Sequence, residues 1–186
     1  MFYPTLYSAR RYDWGNAMYR TSEVFDMRDA FHNAALDGWA NDAETVVNPH
    51  TGEKSIERSC GHYLVRDAWF TGLDGFFCGT FRMSDRTRSV WSMQYFGKLT
   101  EEAVEVVKEA LRYQYLIGDF RGGRGPRVRP EKELVYWNEV DGDFIRFSAM
   151  ETVHKLLSPN ADVLKSPVIS WCRVQGGLLA DWRDRP

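Results

Sequence analysis

The sequence predicts an α+β fold: two copies of an αβββ unit, with antiparallel sheets and two helices about a pseudo-two-fold. Three observations carry this. Val65–Gly79 (VRDAWFTGLDGFFCG) and Val135–Ala149 (VYWNEVDGDFIRFSA) place Val65 with Val135, Gly72 with Gly142 and Phe77 with Phe147 in one register. Each copy leads into an apolar, Trp-bearing run that stops at a glycine, Gly97 in one and Gly176 in the other. Each is preceded by a segment with helical spacing of apolar residues. Self-similarity of this kind marks a repeated supersecondary block, and strands this close in sequence pair antiparallel.

Taken in order, residues 1–20 are aromatic and basic without periodicity and read as an N-terminal arm. Ser22 is placed to cap a helix with Glu23 and Asp26 near its start, and Val24, Met27, Phe31 and Ala34 form its apolar face. Gly38 is its expected stop. Residues 41–59, with Asn-Pro and Thr-Gly signals, read as a long loop. Strands are expected over 63–71, 76–83 and 90–96, with polar turns between them. Thr100 is placed to cap a second helix, whose buried stripe is Val104, Val107 and Leu111 and whose stop is Gly118. Residues 121–130 (RGGRGPRVRP) form a Gly/Pro/Arg connector. Three more strands are expected over 134–140, 143–149 and 168–174. The chain is read as one domain, 1–186, with repeats at about 22–99 and 100–180.

Composition narrows the function classes. A net charge of −2 argues against a general nucleic-acid binder. Cys60, Cys78 and Cys172 form no CxxC pair and read as free thiols of a reducing, cytoplasmic compartment. The N-terminus lacks the apolar core of a signal peptide, and no run approaches the roughly 20 apolar residues of a spanning helix. The aromatic content of 15% is high, which suits ring-built sheet faces or a ring-lined pocket.

The pattern formed by Asp67, Gly72, Phe77-x-Gly79, Val90-Trp91-x-Met93-x-Tyr95-x-Gly97, Arg124-Gly125-Pro126 and Tyr136-x-Asn138-Glu139-Val140-x-Gly142-Asp143-Phe144-x-x-Phe147 resembles a family of uncharacterised bacterial domains, over roughly residues 60–180. Members of that family stand alone or follow a helix-turn-helix regulator, so the resemblance implies a sensing or binding module without an established reaction. The chain departs from the pattern at Phe81, where the family carries a glutamate that the second copy keeps as Glu151. It departs again at Ala149, where the family has glycine. The paired αβββ arrangement is also similar to two-repeat effector-binding folds that hold ligands between their halves.

The favoured reading is therefore a small-molecule-binding protein, a sensor or sequestering module, with an aromatic-lined cleft between the repeats. Trp69, Trp91, Tyr95, Tyr136 and Trp137 are the candidate stacking surfaces. Glu139, Glu151, Arg124 and Arg127 are the candidate polar anchors. The arginines favour an amphipathic or anionic ligand. Two other readings stay open. One is a protein-interaction or inhibitor role using the N-terminal arm, and the other is a hydrolase or lyase using Glu139 or Glu151. Homodimerisation is a further open expectation. Neither a cofactor nor a metal is expected: His50, Cys60 and His62 match no zinc spacing, and no G-x-S-x-G supports a nucleophile.

Overall fold

A computed structural model describes residues 21–86, 88–120 and 124–179. The N-terminal arm and Arg121 lie outside the described residues. The fold is α+β, a nine-stranded antiparallel sheet with two helices.

The first helix, α1, runs Thr21–Leu36, and Trp39–Asn41 form a 3-10 turn behind it. The strands β1 (Val46–Val47), β2 (Lys54–Cys60), β3 (Tyr63–Thr71), β4 (Phe76–Asp85) and β5 (Arg88–Lys98) follow. The second helix, α2 (Val104–Ile117), then leads to β6 (Val128–Glu131), β7 (Leu134–Gly142), β8 (Arg146–Lys155) and β9 (Val168–Leu178). The strand order is β1-β2-β3-β4-β5-β9-β8-β7-β6. The two halves thus share one sheet rather than forming two, because β5 and β9 pair antiparallel from Trp91↔Leu178 to Lys98↔Trp171. Gly72 follows β3 and Gly142 ends β7, so both lie at the same corner of their hairpins, β3/β4 and β7/β8.

The half before α2 carries two strands more than the sequence suggests, β1 and β2, and the half after it one, β6. β2 occupies part of the expected long loop. Its only large apolar residue is Ile56, too weak a signal for alternation, yet it pairs with β3 along its whole length. β6 emerges from the Arg-rich connector and contains Pro130, which an edge strand tolerates. Gly97 and Gly176 do not stop their strands. They lie inside β5 and β9, opposite Cys172 and Met93, and a Cβ on either would stand 2.8 Å from the partner's Cα. Close backbone approach at the seam is why glycine is needed there. Thr100 does not cap α2; its backbone N–H donates to Ser170 Oγ (2.8 Å), which ties the start of that helix to β9. Gly118 does end α2, in the left-handed conformation (φ 66).

Both helices cover the face of the sheet that carries Val65, Phe81, Met83, Trp91, Met93, Phe147 and Val174. Phe31 of α1 is the hub, in contact with Phe81 (ring centroids 5.0 Å), Trp91 (5.2 Å) and Phe120 (5.4 Å). Trp91 stacks on Phe144 (5.0 Å) and donates its indole N–H to the Phe144 carbonyl. Phe81 fills this core. Phe147 is buried with it, whereas its counterpart Phe77 is half-buried.

Phe147→Ala should therefore cost about 3–5 kcal/mol, the usual price of a large buried cavity. Phe77→Ala should cost less than about 2 kcal/mol, as expected for a partly exposed ring. Chemical denaturation of the two variants measures the difference.

Candidate functional site

Helix packing leaves a large opening on the covered face. Where α1 and the start of β8 meet, aromatic rings fill the space. Toward the N-terminal end of α2 they do not, and a cavity of about 950 Å³ remains. Its walls come from Trp39, Val47, Trp69, Phe77, Leu99 and Val104. Its floor is polar: Asp67, Tyr95, Arg124, Tyr136, Glu151 and Cys172.

Strand alternation puts these groups together. Asp67 and Trp69 on β3, Phe77 on β4, Tyr95 on β5, Cys172 on β9, Glu151 on β8 and Tyr136 on β7 all point to the helix-covered face. Tyr95 crosses a strand to reach its partner: its hydroxyl donates to Asp67 Oδ1 at 2.5 Å. Between them on β4 lies Gly79, which pairs with Trp69 on one side and Tyr95 on the other. A Cβ on Gly79 would meet Tyr95 Cζ at 2.5 Å. The glycine of the Phe77-x-Gly79 motif is what lets the phenol lie flat across β4.

Arg124 enters from the connector. Its Nε and Nη2 donate to Glu151 Oε1 (3.3 Å) and Oε2 (2.7 Å), and its backbone N–H also donates to Glu151 (3.3 Å). The guanidinium lies over the Tyr95 ring at 5.2 Å and touches Cys172 Sγ at 3.4 Å. The pair is deeply buried, with side chains 12% and 4% exposed. A fork-on-carboxylate contact is the geometry that can offset such desolvation. Asn138 fixes the connector by donating to the Gly125 carbonyl (3.0 Å). The Tyr136 hydroxyl packs against Gly125 and has no hydrogen-bond partner among the described residues.

These surroundings shift protons. Burial pushes the Asp67 carboxyl up from 3.8 to about 6, with the Tyr95 hydrogen bond and the Arg124 charge pulling it back. Burial and the Asp67 charge push the Tyr95 phenol well up. The Cys172 thiol is pushed up to about 12, mainly by burial. Cys172 is therefore a neutral thiol at pH 7, unsuited to nucleophilic chemistry.

Of the residues expected from sequence, Trp69, Tyr95, Arg124, Tyr136 and Glu151 converge on this cavity. Trp91 lies in the closed aromatic core. Trp137 and Glu139 alternate to the opposite face, where the indole N–H meets Glu139 Oε1 at 3.4 Å. Arg127 is exposed away from the cavity, and its carbonyl accepts from the Asn138 N–H (2.9 Å). Sequence reasoning passed over Asp67, although it stood in the quoted motif. The signal was its place two residues before Trp69 on one strand face. Trp39 and Cys172 were also missed. Among the described residues, no three His, Cys, Asp or Glu side chains are grouped to hold a metal ion, and no helix is long and apolar enough to cross a membrane.

A family defined as Domain of unknown function (DUF5680) matches residues 68–164, a narrower span than the resemblance read from sequence. No curated protein matches, and no solved structure matches.

Two measurements check this geometry. Carbon-detected NMR of the Asp67 carboxyl should give a midpoint near 6, and Tyr95→Phe should raise it, because the hydrogen bond that favours the ionised form is lost. Stability should also depend on pH through Asp67. The unfolded carboxyl releases its proton near 3.8 and the folded one near 6, so the folded chain binds more protons between those values. Native stability therefore falls as pH rises from 4 to 6 and levels off above. Asp67→Asn removes this fall, so the variant should gain up to about 3 kcal/mol relative to wild type between pH 4 and 7 in denaturant titrations.

Proposed function

We propose that this chain, which belongs to the DUF5680 family of domains of unknown function, is a small-molecule-binding protein whose site is the cavity beneath α2. The observation that carries the reading is the floor. Charged and hydroxyl groups are gathered at the bottom of an aromatic-walled space of about 950 Å³, at the upper end of the usual volume for ligand sites. The Tyr136 hydroxyl supports it further, as a buried polar group for which a ligand could supply the missing partner.

In this reading the two halves are copies of one helix-and-strands unit, and the ligand lies beside their seam rather than in a symmetric groove. Phe81 closes the space of one half, and Glu151 opens that of the other. Catalysis through Glu139 or Glu151 has less support: Glu139 is on the far face, and Glu151 is engaged by Arg124. An interaction role has one observation in its favour, the exposed apolar side chains Leu64, Phe70 and Phe96 on the uncovered sheet face.

The test uses N-phenyl-1-naphthylamine, a neutral dye that fluoresces in apolar sites. Saturable fluorescence is expected with wild type. Val104→Trp, which fills the cavity from the first turn of α2, should weaken binding by at least about tenfold, or about 1.4 kcal/mol. Absence of saturable binding, or equal binding by the variant, would remove the reading.

A further inference from the structure

The floor of the cavity does not balance its charge. Among the described residues the floor holds two carboxylates, Asp67 and Glu151, and one guanidinium, Arg124; that guanidinium is ion-paired with Glu151, and Asp67 has no ion pair. Glu151 takes both forks of the arginine, and Asp67 has the Tyr95 hydroxyl as its hydrogen-bond partner. The mouth is balanced. Lys108 is paired with Asp42, and the rest of the lining adds Lys54 and Lys98 on the positive side and Asp74 and Glu101 on the negative. The unmatched charge therefore belongs to the interior.

The walls beside it are aromatic. Lys108 already lies over Trp39 at 5.3 Å and Arg124 over Tyr95 at 5.2 Å, so rings of this cavity take cations on their faces. Trp69 and Phe77 also line the cavity, on the neighbouring strands β3 and β4 and on the face of Asp67. We infer that the cavity takes an organic cation, with its positive centre held beside Asp67 and against the rings of Trp69 and Phe77. This rests on the cavity being a ligand site. It reverses the anionic preference that the arginines suggested from sequence, because the Arg124 fork is taken by Glu151 and Arg127 faces elsewhere.

Such a cation would bind more weakly as Asp67 takes up its proton below about pH 6. Lys54 and Arg58 from β2, Lys108 and Tyr115 from α2, Tyr95, Cys172, Glu151 and Arg124 face the same region. Of these, Tyr95 and Arg124 are the groups that shift the Asp67 proton, and both favour the ionised form.

Tetraphenylphosphonium and tetraphenylborate have nearly the same shape and opposite charge, so calorimetric titration with each isolates the sign. At pH 7.5 the phosphonium should bind wild type at least about tenfold tighter than the borate. Asp67→Asn should lose that preference while keeping the circular dichroism of the wild type. Phosphonium affinity should fall about fivefold between pH 6 and 5, as one proton competes for the carboxylate. Tighter borate binding, no phosphonium binding, or an unchanged preference in Asp67→Asn would overturn the inference. Should the neutral dye bind and the phosphonium not, the cavity remains a ligand site and only its charge preference is wrong. Should neither bind, both readings go.

Discussion

The antiparallel pairing of β5 with β9 is the constraint on which the rest depends. It turns two meanders into one sheet and sets which side chains meet on the covered face. With Gly97 opposite Cys172, and Tyr95 opposite Val174, the register brings Tyr95, Cys172 and Glu151 side by side over three adjacent strands. A slip of one residue would send all of β9's inward side chains to the other face and dissolve the cavity floor. Gly97 and Gly176 keep the two backbones close at this seam, and Thr100 bound to Ser170 fixes the start of α2 against the same strand. The helix that roofs the cavity is thus anchored to the strand that carries part of its floor.

The interior charges follow from how the space around them is filled. In the half covered by α1, Phe31 packs its ring against Phe81 and Trp91. In the half beneath α2, Glu151 is buried, and burying it requires Arg124. Arg124 in turn needs a connector that approaches closely, and Gly125 against the Tyr136 ring allows that approach. Asp67 is the residue left over from this arrangement. Its carboxyl is held near the edge of ionisation by burial, and the Gly79 gap is what allows Tyr95 to reach it. A protein selected for stability alone would have little reason to keep such a group, since an apolar residue there would avoid the cost of a buried charge. That cost is the physical argument for function at this place.

Much of the fold was legible because it is written in alternation and spacing. Val65, Phe77 and Phe147 all lie on the covered face, and Gly118 ends its helix in the conformation that favours glycine. β2 was illegible because a strand with one large apolar residue leaves no period to read, and β6 because Arg and Pro dominate it. The site was half legible. Tyr136 against Trp137 shows the limit: both are aromatic neighbours, and only the register with β8 decides that Tyr136 enters the cavity. The Arg124–Glu151 contact joins residues 27 apart through a segment without periodicity, and the Tyr95–Asp67 contact crosses an intervening strand. Pairings of that kind come from tertiary geometry. A motif can flag the residues, as it did Gly79 and Tyr95, without saying what they hold.

The central claim is that a ligand sits on the floor formed by Asp67, Tyr95 and Arg124 and not on the uncovered apolar face. Backbone amide chemical-shift mapping during titration with tetraphenylphosphonium addresses it directly. The account predicts saturating shifts at Asp67, Trp69, Phe77, Tyr95 and Gly125, with Leu64, Phe70 and Phe96 comparatively still. Shifts concentrated at Leu64, Phe70 and Phe96, with the cavity floor unmoved, would contradict it.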